Sequence, residues 1–272
     1  EYGAAEQTYE AALEIYRKLA EVNPQKYLPY MATTLNNLGL LQSAENEYGV
    51  AEQSYEEALE IRRRLAEVNP QKYLPYVADT LNNLGNLQLA KNEYGAAEQT
   101  YEAALEIYRK LAEVNPQTYL PDVAGALNNL GLLQSAKNEY GAAEQSYEAA
   151  LEIYRKLAEV NPQTYLPYVA TTLNNLGNLQ SAKNEYGAAE QSYEEALEIR
   201  VPFAKLIPEA FEIPLADTYL CLSILYRYNI INEELSKEYA QQAVSLYQRY
   251  WNFVPHAKKW GEVAKGNLND LE

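Results

Sequence analysis

One heptapeptide recurs along the chain at a constant spacing, and this period constrains the fold more than any other feature. The string EYGAAEQ, or a close variant, places its tyrosine at Tyr2, Tyr48, Tyr94, Tyr140 and Tyr186, so each step is 46 residues. Periods of this size are typical of solenoids, in which each unit buries its apolar face only by stacking on its neighbours. The sequence therefore predicts one elongated repeat array.

The apolar pattern inside one unit predicts two amphipathic helices. From Leu173 to Leu179, and again from Tyr186 to Leu197, apolar or small residues recur at spacings of three and four. We call the first helix of each unit helix A and the second helix B. No stretch shows strand-like alternation, so the expected fold is all-α, with antiparallel helix pairs stacked in a right-handed superhelix.

Proline and a short polar segment set the expected helix boundaries. Helix B should run for about 20 residues and end before Pro162, because proline cannot continue a helix. We expect Pro167 to open the next helix A, since proline suits the first helical turn. That helix should end near Ala182, and residues 183–185 should form the turn to helix B. Pro202 should kink or end the helix B that contains it.

The repeated small residues point to close helix packing. Glycine recurs inside helix A at Gly39, Gly85, Gly131 and Gly177, although it costs about 1 kcal/mol there relative to alanine. The simplest reason is close approach of a neighbouring helix, and the small residues Ala189 and Ala196 of helix B supply a matching surface.

These residues resemble the tetratricopeptide repeat. The family pattern is filled in order by Leu173, Leu176, Gly177, Tyr186, Ala189, Tyr193 and Ala196. Two departures are that leucine replaces the aromatic residue that usually opens helix A, and that helix B runs on to give 46 residues rather than about 34. Long repeats with a TLNNLG opening are similar to those of kinesin light chain and of many bacterial tetratricopeptide proteins. The resemblance implies a peptide-binding groove and does not imply kinesin.

The two ends of the array differ from its middle. We predict a tetratricopeptide array over residues 1–207, beginning with an unpaired helix B at 1–22, then a degenerate helix pair over 208–255 and a C-terminal capping helix over 256–272, in which Trp260 covers the open end. The unpaired first helix should expose Tyr9, Leu13 and Tyr16, which would favour end-to-end self-association.

The charge balance excludes several classes of partner. The chain has 22 basic and 38 acidic residues, a net charge of −16 and a pI near 4.6. Nucleic acids and anionic membranes need a basic surface, so we expect neither, and we expect a neutral to basic protein or peptide instead. No apolar run could span a bilayer and no signal peptide is visible, which favours a cytoplasmic protein.

No constellation of residues suggests catalysis. The single histidine, His256, is interpreted as a solvated residue at the start of the last helix, and the single cysteine, Cys221, as a small buried residue. The sequence contains no phosphate-binding loop, no Gly-x-Ser-x-Gly and no His-Glu-x-x-His. We therefore expect no enzymatic activity, no catalytic residues, no metal and no cofactor.

The resemblance also implies which positions of helix A line the groove. With Leu173 as the fourth position of its helix, these include the second, fifth, ninth and twelfth. The repeats are otherwise nearly identical, yet within helix A they differ chiefly in these columns. The predicted peptide-binding residues are Asn36, Asn82, Asn128 and Asn174 at the fifth position, Leu40, Asn86, Leu132 and Asn178 at the ninth, Asp79 at the second and Leu89 at the twelfth.

The paired asparagines of TLNNLG are assigned different roles. We expect the first, such as Asn82, to face the groove and bind the backbone of an extended peptide, because an amide offers two donors and an acceptor. The second, such as Asn83, should be structural. Asp79 is the one acid in these columns and could meet a basic residue. No Lys or Arg occupies them, so a clamp for an acidic C-terminus is not expected.

Three functions remain open at this point. The first is a scaffold that binds an extended peptide segment in its groove. The second is a structural module that assembles with itself and leaves the groove empty. The third is a sensor region of a larger signalling ATPase or protease.

Overall fold

The computed structural model describes residues 2–270, without the side chain of Tyr2; residues 1, 271 and 272, on which the two outermost predicted domain limits fall, lie outside that part. Residues 2–270 form twelve α-helices and no strand. Their bounds are α1 Tyr2–Val22, α2 Pro24–Ala44, α3 Tyr48–Val68, α4 Pro70–Ala90, α5 Tyr94–Val114, α6 Pro116–Ala136, α7 Tyr140–Val160, α8 Pro162–Ala182, α9 Tyr186–Leu206, α10 Pro208–Tyr228, α11 Glu233–Tyr250 and α12 Pro255–Asn269.

The helices fall into two compact units, Glu1–Lys137 with α1 to α6 and Asn138–Glu272 with α7 to α12. Within each unit every helix contacts the next one along the chain, and short connections reverse the direction between them. The A helices also contact one another directly, α2 with α4 and α4 with α6 in the first unit, and α8 with α10 in the second. The predicted all-α solenoid of helix pairs is confirmed.

Helix B leads into the next helix A through a single capping residue. The side chain of Asn161 accepts a hydrogen bond from the backbone N–H of Thr164 at 3.2 Å, and Pro162 takes the first helical position. The prediction that Pro167 opens this helix is wrong, since α8 already begins at Pro162 and contains Pro167. An asparagine N-cap followed by proline starts a helix without a loop, because the missing N–H of proline would be unpaired there anyway.

The turn from helix A to helix B depends on an asparagine in the left-handed conformation. Asn184 has φ of 63° and follows the end of α8, as predicted for residues 183–185. Asparagine adopts this conformation more readily than most residues. Helix B then runs for 21 residues in α9, which confirms its predicted length. Pro202 lies inside α9 and does not end it.

The recurring glycine of helix A lies against a tyrosine ring of the following helix B. A Cβ atom at Gly85 would come within 2.7 Å of Tyr101, and one at Gly177 within 2.6 Å of Tyr193. Both rings are almost fully buried, and Ala189 and Ala196 are wholly buried. The predicted close approach is therefore confirmed at these glycines, and a tyrosine side chain makes it.

The two ends of the described chain are covered to different degrees. Leu13 of α1 is 4% exposed and belongs to a cluster with Met31 and Leu35 of α2, so the prediction that it lies open is wrong. Tyr9 and Tyr16 are half-buried. At the other end α12 carries Trp260, which packs in part on the cluster around Tyr247 of α11; its role as a cap stays a prediction.

No helix within residues 2–270 is both long and apolar enough to cross a membrane. No group of three or more His, Cys, Asp or Glu side chains in the same part of the chain could hold a metal ion.

Candidate functional site

Packing leaves one face of every helix A open. We call the second and ninth positions of α2, α4, α6 and α8 the helix A face; its members are Thr33, Leu40, Asp79, Asn86, Gly125, Leu132, Thr171 and Asn178. All are exposed except Asp79 and Gly125, which are half-buried, and Leu89 at the twelfth position is half-buried too. The leucines two positions before the ninth, such as Leu38, are buried. Six of the eight residues of the helix A face are thus exposed, in two columns in which the repeats differ.

The fifth-position asparagines lie deeper than expected. Asn36 is 7% exposed and Asn174 is 8% exposed, whereas Asn82 and Asn128 are half-buried. The expectation that this asparagine faces the groove is therefore wrong for Asn36 and Asn174. An arginine of helix B donates a hydrogen bond to the Oδ1 atom of each. Nη1 of Arg62 donates to Asn36 at 3.3 Å, and Nη1 of Arg200 donates to Asn174 at 3.2 Å.

Both asparagines of the doublet join neighbouring repeats. The Nδ2 group of Asn83 donates to Oδ1 of Asn36 at 3.3 Å, and that of Asn129 donates to Oδ1 of Asn82 at 3.1 Å. The second asparagine is structural, as predicted, and its partner is the first asparagine of the repeat before. Peptide contact by Asn82 stays a prediction, for which its Nδ2 group is available: it donates no hydrogen bond within residues 2–270.

The ninth position is either an exposed leucine or an asparagine tied to the core. Tyr101 donates its hydroxyl to Oδ1 of Asn86 at 2.6 Å, and Tyr193 donates to Oδ1 of Asn178 at 2.7 Å. These bonds fix the two amides and direct the acceptor oxygen inward. Leu40 and Leu132 have 46% and 37% of their surface exposed.

Asp79 already has partners inside the protein. Its carboxylate accepts a hydrogen bond from the Tyr108 hydroxyl at 2.7 Å. Burial raises the pKa of Asp79, while the bond from Tyr108 and the charge of Arg62 act in the opposite direction. The charge of Arg62 therefore acts on Asp79 within the chain, and contact of Asp79 with a basic group of a partner stays a prediction.

Sequence reasoning missed Arg62 and Arg200. Both come from helix B and not from the groove columns of helix A, and both are almost fully buried. Nη1 of Arg62 donates to Asn36, to the carbonyl of Tyr76 at 2.9 Å and to the hydroxyl of Thr80. Burial lowers the pKa of this guanidinium, and the charge of Asp79 raises it. The sequence feature that could have indicated these arginines is one repeated position of helix B, where tyrosine is replaced by arginine in two repeats. Its residues are Tyr16, Arg62, Tyr108, Tyr154 and Arg200.

A pocket of about 300 Å³ opens beside Arg62. It lies between the first halves of α2 and α4 and the second half of α3. Its lining comprises Pro29, Tyr30, Ala32, Thr33, Arg62, Leu65, Lys72, Tyr73 and Tyr76. The arrangement can hold a small group between aromatic rings and next to two positive charges.

The two residues considered for catalysis are placed for other roles. Nε2 of His256 lies 2.8 Å from Oδ1 of Asp217, which also accepts the Tyr247 hydroxyl at 2.5 Å. His256 is thus bonded and not merely solvated. Burial raises the pKa of the Cys221 thiol to about 11, so the thiol stays protonated and is a poor nucleophile at neutral pH.

Known structures share this helical arrangement. Over 94% of both chains, the protein is similar to BtubC (BKLC) from P. vanneervenii, with a TM-score of 0.70 and 22% identity. It is also similar to RapI in its apo form, over 96% of this chain and 93% of that one, with a TM-score of 0.60 and 15% identity. The similarity to PilF of Pseudomonas aeruginosa covers 95% and 97% of the two chains, with a TM-score of 0.51 and 17% identity. No curated protein sequence matches the chain.

The family match follows the repeats seen in the structure. A model described as tetratricopeptide repeat matches residues 31–70, 77–117, 123–162 and 169–201. Each matched segment begins inside a helix A and continues into the following helix B. Since these segments make up more than half of the sequence, the chain belongs to the tetratricopeptide repeat family.

Proposed function

We propose that this protein is a scaffold that binds an extended peptide segment of a partner protein along the helix A faces of successive repeats. The family is generally one of protein–protein interaction scaffolds and is typically non-catalytic. The peptide mode is the finer step, and one observation carries it: side chains of the helix A face are exposed where nearly identical repeats differ.

The chemistry of this face suits an extended chain. Leu40 and Leu132 offer separate apolar contacts, and the repeat between them offers Asn86, whose Nδ2 group donates no hydrogen bond within residues 2–270. An amide donor can bind a peptide carbonyl whatever the peptide's side chains, while the leucines favour apolar side chains at intervals. A single such hydrogen bond contributes only about 1 kcal/mol, so affinity must come from several repeats together.

Site-specific cross-linking in cells tests this surface. A photo-reactive amino acid is placed at Thr33 or Asn86 on the helix A face, and at Glu106 or Glu152, both exposed on helix B, as matched controls. We expect the first two positions to cross-link to one short segment of another protein, and the control positions to give no such product. Peptide mapping by mass spectrometry identifies the segment.

Exchanging the ninth-position residues sharpens the test. In a Leu40→Asn, Asn86→Leu double variant the composition is unchanged, the order of leucine and asparagine along the helix A face is reversed, and Tyr101 loses its hydrogen bond to Asn86. We expect weaker binding of the mapped segment with unchanged helicity. Equal cross-linking from both helix faces, or cross-links only to a second copy of this chain, would overturn the proposal, and the second result would favour self-assembly.

A further inference from the structure

The pocket beside Arg62 combines apolar walls with positive charge. The rings of Tyr30, Tyr73 and Tyr76 line it together with Leu65, and Lys72 and Arg62 are its two charged members. No acidic residue is among its lining residues. The pocket is therefore locally cationic although the whole chain has a net charge of −16.

Two of the three guanidinium nitrogens of Arg62 donate no hydrogen bond within residues 2–270. All three of its hydrogen bonds within residues 2–270 are made by Nη1, so Nε and Nη2 donate none there, and the guanidinium carbon lies 5.5 Å from the centre of the Tyr76 ring. Nε–H and Nη2–H together form a two-donor edge that matches the two oxygens of a carboxylate. The Nη1 bonds to α2 and α4 hold the group in place, so little side-chain entropy is lost on binding.

The nearest acid does not occupy this edge. Asp79 lowers the local positive charge but directs its Oδ1 atom to the Tyr108 hydroxyl. Lys72 is exposed at the pocket, with Nζ 5.0 Å from the centre of the Tyr73 ring. An anion that enters the pocket would thus meet an exposed cation, Lys72, and a cation held in place by hydrogen bonds, Arg62.

From this arrangement we propose that the Arg62 pocket binds a carboxylate carried by a peptide next to an apolar residue. The carboxylate takes the Nε and Nη2 donors, and the apolar neighbour packs on the tyrosine rings. This rests on the proposed function only in taking the ligand to be a peptide, and it changes the expected partner from neutral or basic to one with a local acidic group. The carboxylate has two sources, a Glu or Asp side chain or a chain terminus.

Small peptide probes separate these sources. The probes are N-acetyl-Phe-Glu-amide, its neutral analogue N-acetyl-Phe-Gln-amide, N-acetyl-Phe with a free carboxylate, and phenyl phosphate. Binding is followed on the ¹⁵N-labelled full chain through the Nε–Hε resonance of Arg62, assigned from its loss in Arg62→Lys. We expect the carboxylate probes to shift this resonance and to bind about tenfold more tightly than the neutral analogue.

The chain supplies a matched control for the charge. Lys26 and Lys72 share the context NPQKYLPY, both are exposed, and their Nζ atoms lie 4.9 and 5.0 Å from the next tyrosine ring. The helix B residue at the earlier position is Tyr16, not arginine. We expect Lys72→Glu to weaken the carboxylate probes about fivefold and Lys26→Glu, with the same net charge, to leave them unchanged.

Three outcomes would overturn the inference: equal affinity for the Glu and Gln probes, equal effects of the two lysine variants, or binding of phenyl phosphate alone. The preferred carboxylate probe identifies the source. These outcomes are independent of cross-linking from Asn86, which is not among the lining residues of the pocket, because the probes report on the pocket whether or not a longer segment follows the helix A face.

Discussion

Arg62 and Arg200 occupy the same place in the repeat, three periods apart, and make the same hydrogen bonds in different surroundings. Each Nη1 donates to a fifth-position asparagine, to a carbonyl near the start of the next helix A, at 2.9 Å for Tyr76 and 2.7 Å for Pro214, and to a threonine hydroxyl one turn later. Each arginine side chain, which comes from helix B, thus connects two A helices. The bridge is therefore part of the fold and does not by itself indicate a ligand.

The surroundings separate the two sites. Around Arg62, Leu65 and Tyr73 line an open pocket with Lys72 at its edge. In the unit of Arg200 the positions of Leu65, Tyr73 and Lys72 are occupied by Phe203, Phe211 and Ala210, in that order. The ring centres of the two phenylalanines lie 5.2 Å apart. The second site thus lacks the additional cation and has a bulkier apolar wall. Any ligand specificity follows from these neighbours, while the arginines themselves are shared.

The nearby acids differ as well. Asp79 accepts the Tyr108 hydroxyl and repels the carboxyl of Asp122. Asp217 accepts the hydroxyl of Tyr247 and lies against His256. In the first unit Asp79 thus has a second acid, Asp122, near it as well as Arg62, whereas in the second unit Asp217 lies against a histidine. This difference predicts that pH affects the two units unequally.

Removing either arginine should have the largest effect on stability. Arg62→Met and Arg200→Met each lose three hydrogen bonds from a charged donor and leave poorly filled space, at a cost of about 3 kcal/mol. The acceptors retain other partners, since Asn83 still bonds Asn36 and Thr80 still bonds the Tyr76 carbonyl. The free energy of unfolding from urea denaturation, followed by circular dichroism, measures both losses.

Comparable losses would support a shared structural bridge. The Arg63→Met variant, at an exposed neighbour on α3, should change the free energy of unfolding by less than about 0.5 kcal/mol. A near-neutral Arg62→Met variant beside a costly Arg200→Met variant would break the comparison, because Arg62 would then be held for binding alone.

The fold could be predicted from the sequence because its determinants are local. The Leu-Gly and Ala-Tyr-Ala spacings recur with the period and depend only on which residues share a helix face. The predicted start of helix A is wrong because the prediction treats Pro162 only as a residue that ends the preceding helix. Whether proline ends one helix or begins another depends on the residue before it, and Asn161 caps the new helix with its own side chain.

The candidate site could be predicted only in part. Exposure of Leu40 and Asn86 was expected, because the resemblance to the tetratricopeptide repeat implies that the ninth position of helix A lines the groove. The burial of Asn36 was not, since it depends on Arg62 reaching between α2 and α4 from α3. Such a contact joins three helices, and no spacing within one helix reports it. The change between tyrosine and arginine in this helix B column was visible in the sequence, but its meaning required the neighbouring helices.

The glycine against the buried tyrosine should distinguish the same two regions by a smaller amount. A Cβ at Gly177 would lie 2.6 Å from the Tyr193 ring, and one at Gly39 would lie 2.9 Å from the Tyr55 ring. Tyr193 is also held by its bond to Asn178, whereas the matching residue for Tyr55 is Leu40. We expect Gly177→Ala to cost about 2 kcal/mol and Gly39→Ala about 1 kcal/mol.

A glycine on open surface provides the control for helix propensity. Nothing lies within 4 Å of a Cβ placed at Gly187 or Gly49. Alanine at either position should stabilise its helix by up to about 1 kcal/mol. Equal costs at Gly39 and Gly177 would show that the hydrogen bond to Asn178 does not fix the tyrosine ring.

The smallest expected effect concerns pH. Burial and the charge of Asp79 raise the pKa of Asp122 to about 6, from an ordinary value of 3.8. The folded state therefore holds this proton more tightly than the unfolded chain does, and the stability gained from it is lost as the pH rises through 6. Asp122→Asn removes the penalty and should raise the free energy of unfolding by about 1 kcal/mol at pH 7, and by about half of that at pH 5.

The comparison with a second variant isolates this carboxyl from the other acids. Glu113→Gln removes one charge from an exposed site on α5, so its effect on the free energy of unfolding should differ little between pH 5 and pH 7. In the second unit the residue one period after Asp122 is Tyr168, which carries no carboxyl to protonate. If Asp122→Asn were no more stabilising at pH 7 than at pH 5, the repulsion between Asp79 and Asp122 would not be felt in the folded protein, and the pH contrast between the two arginine sites would disappear.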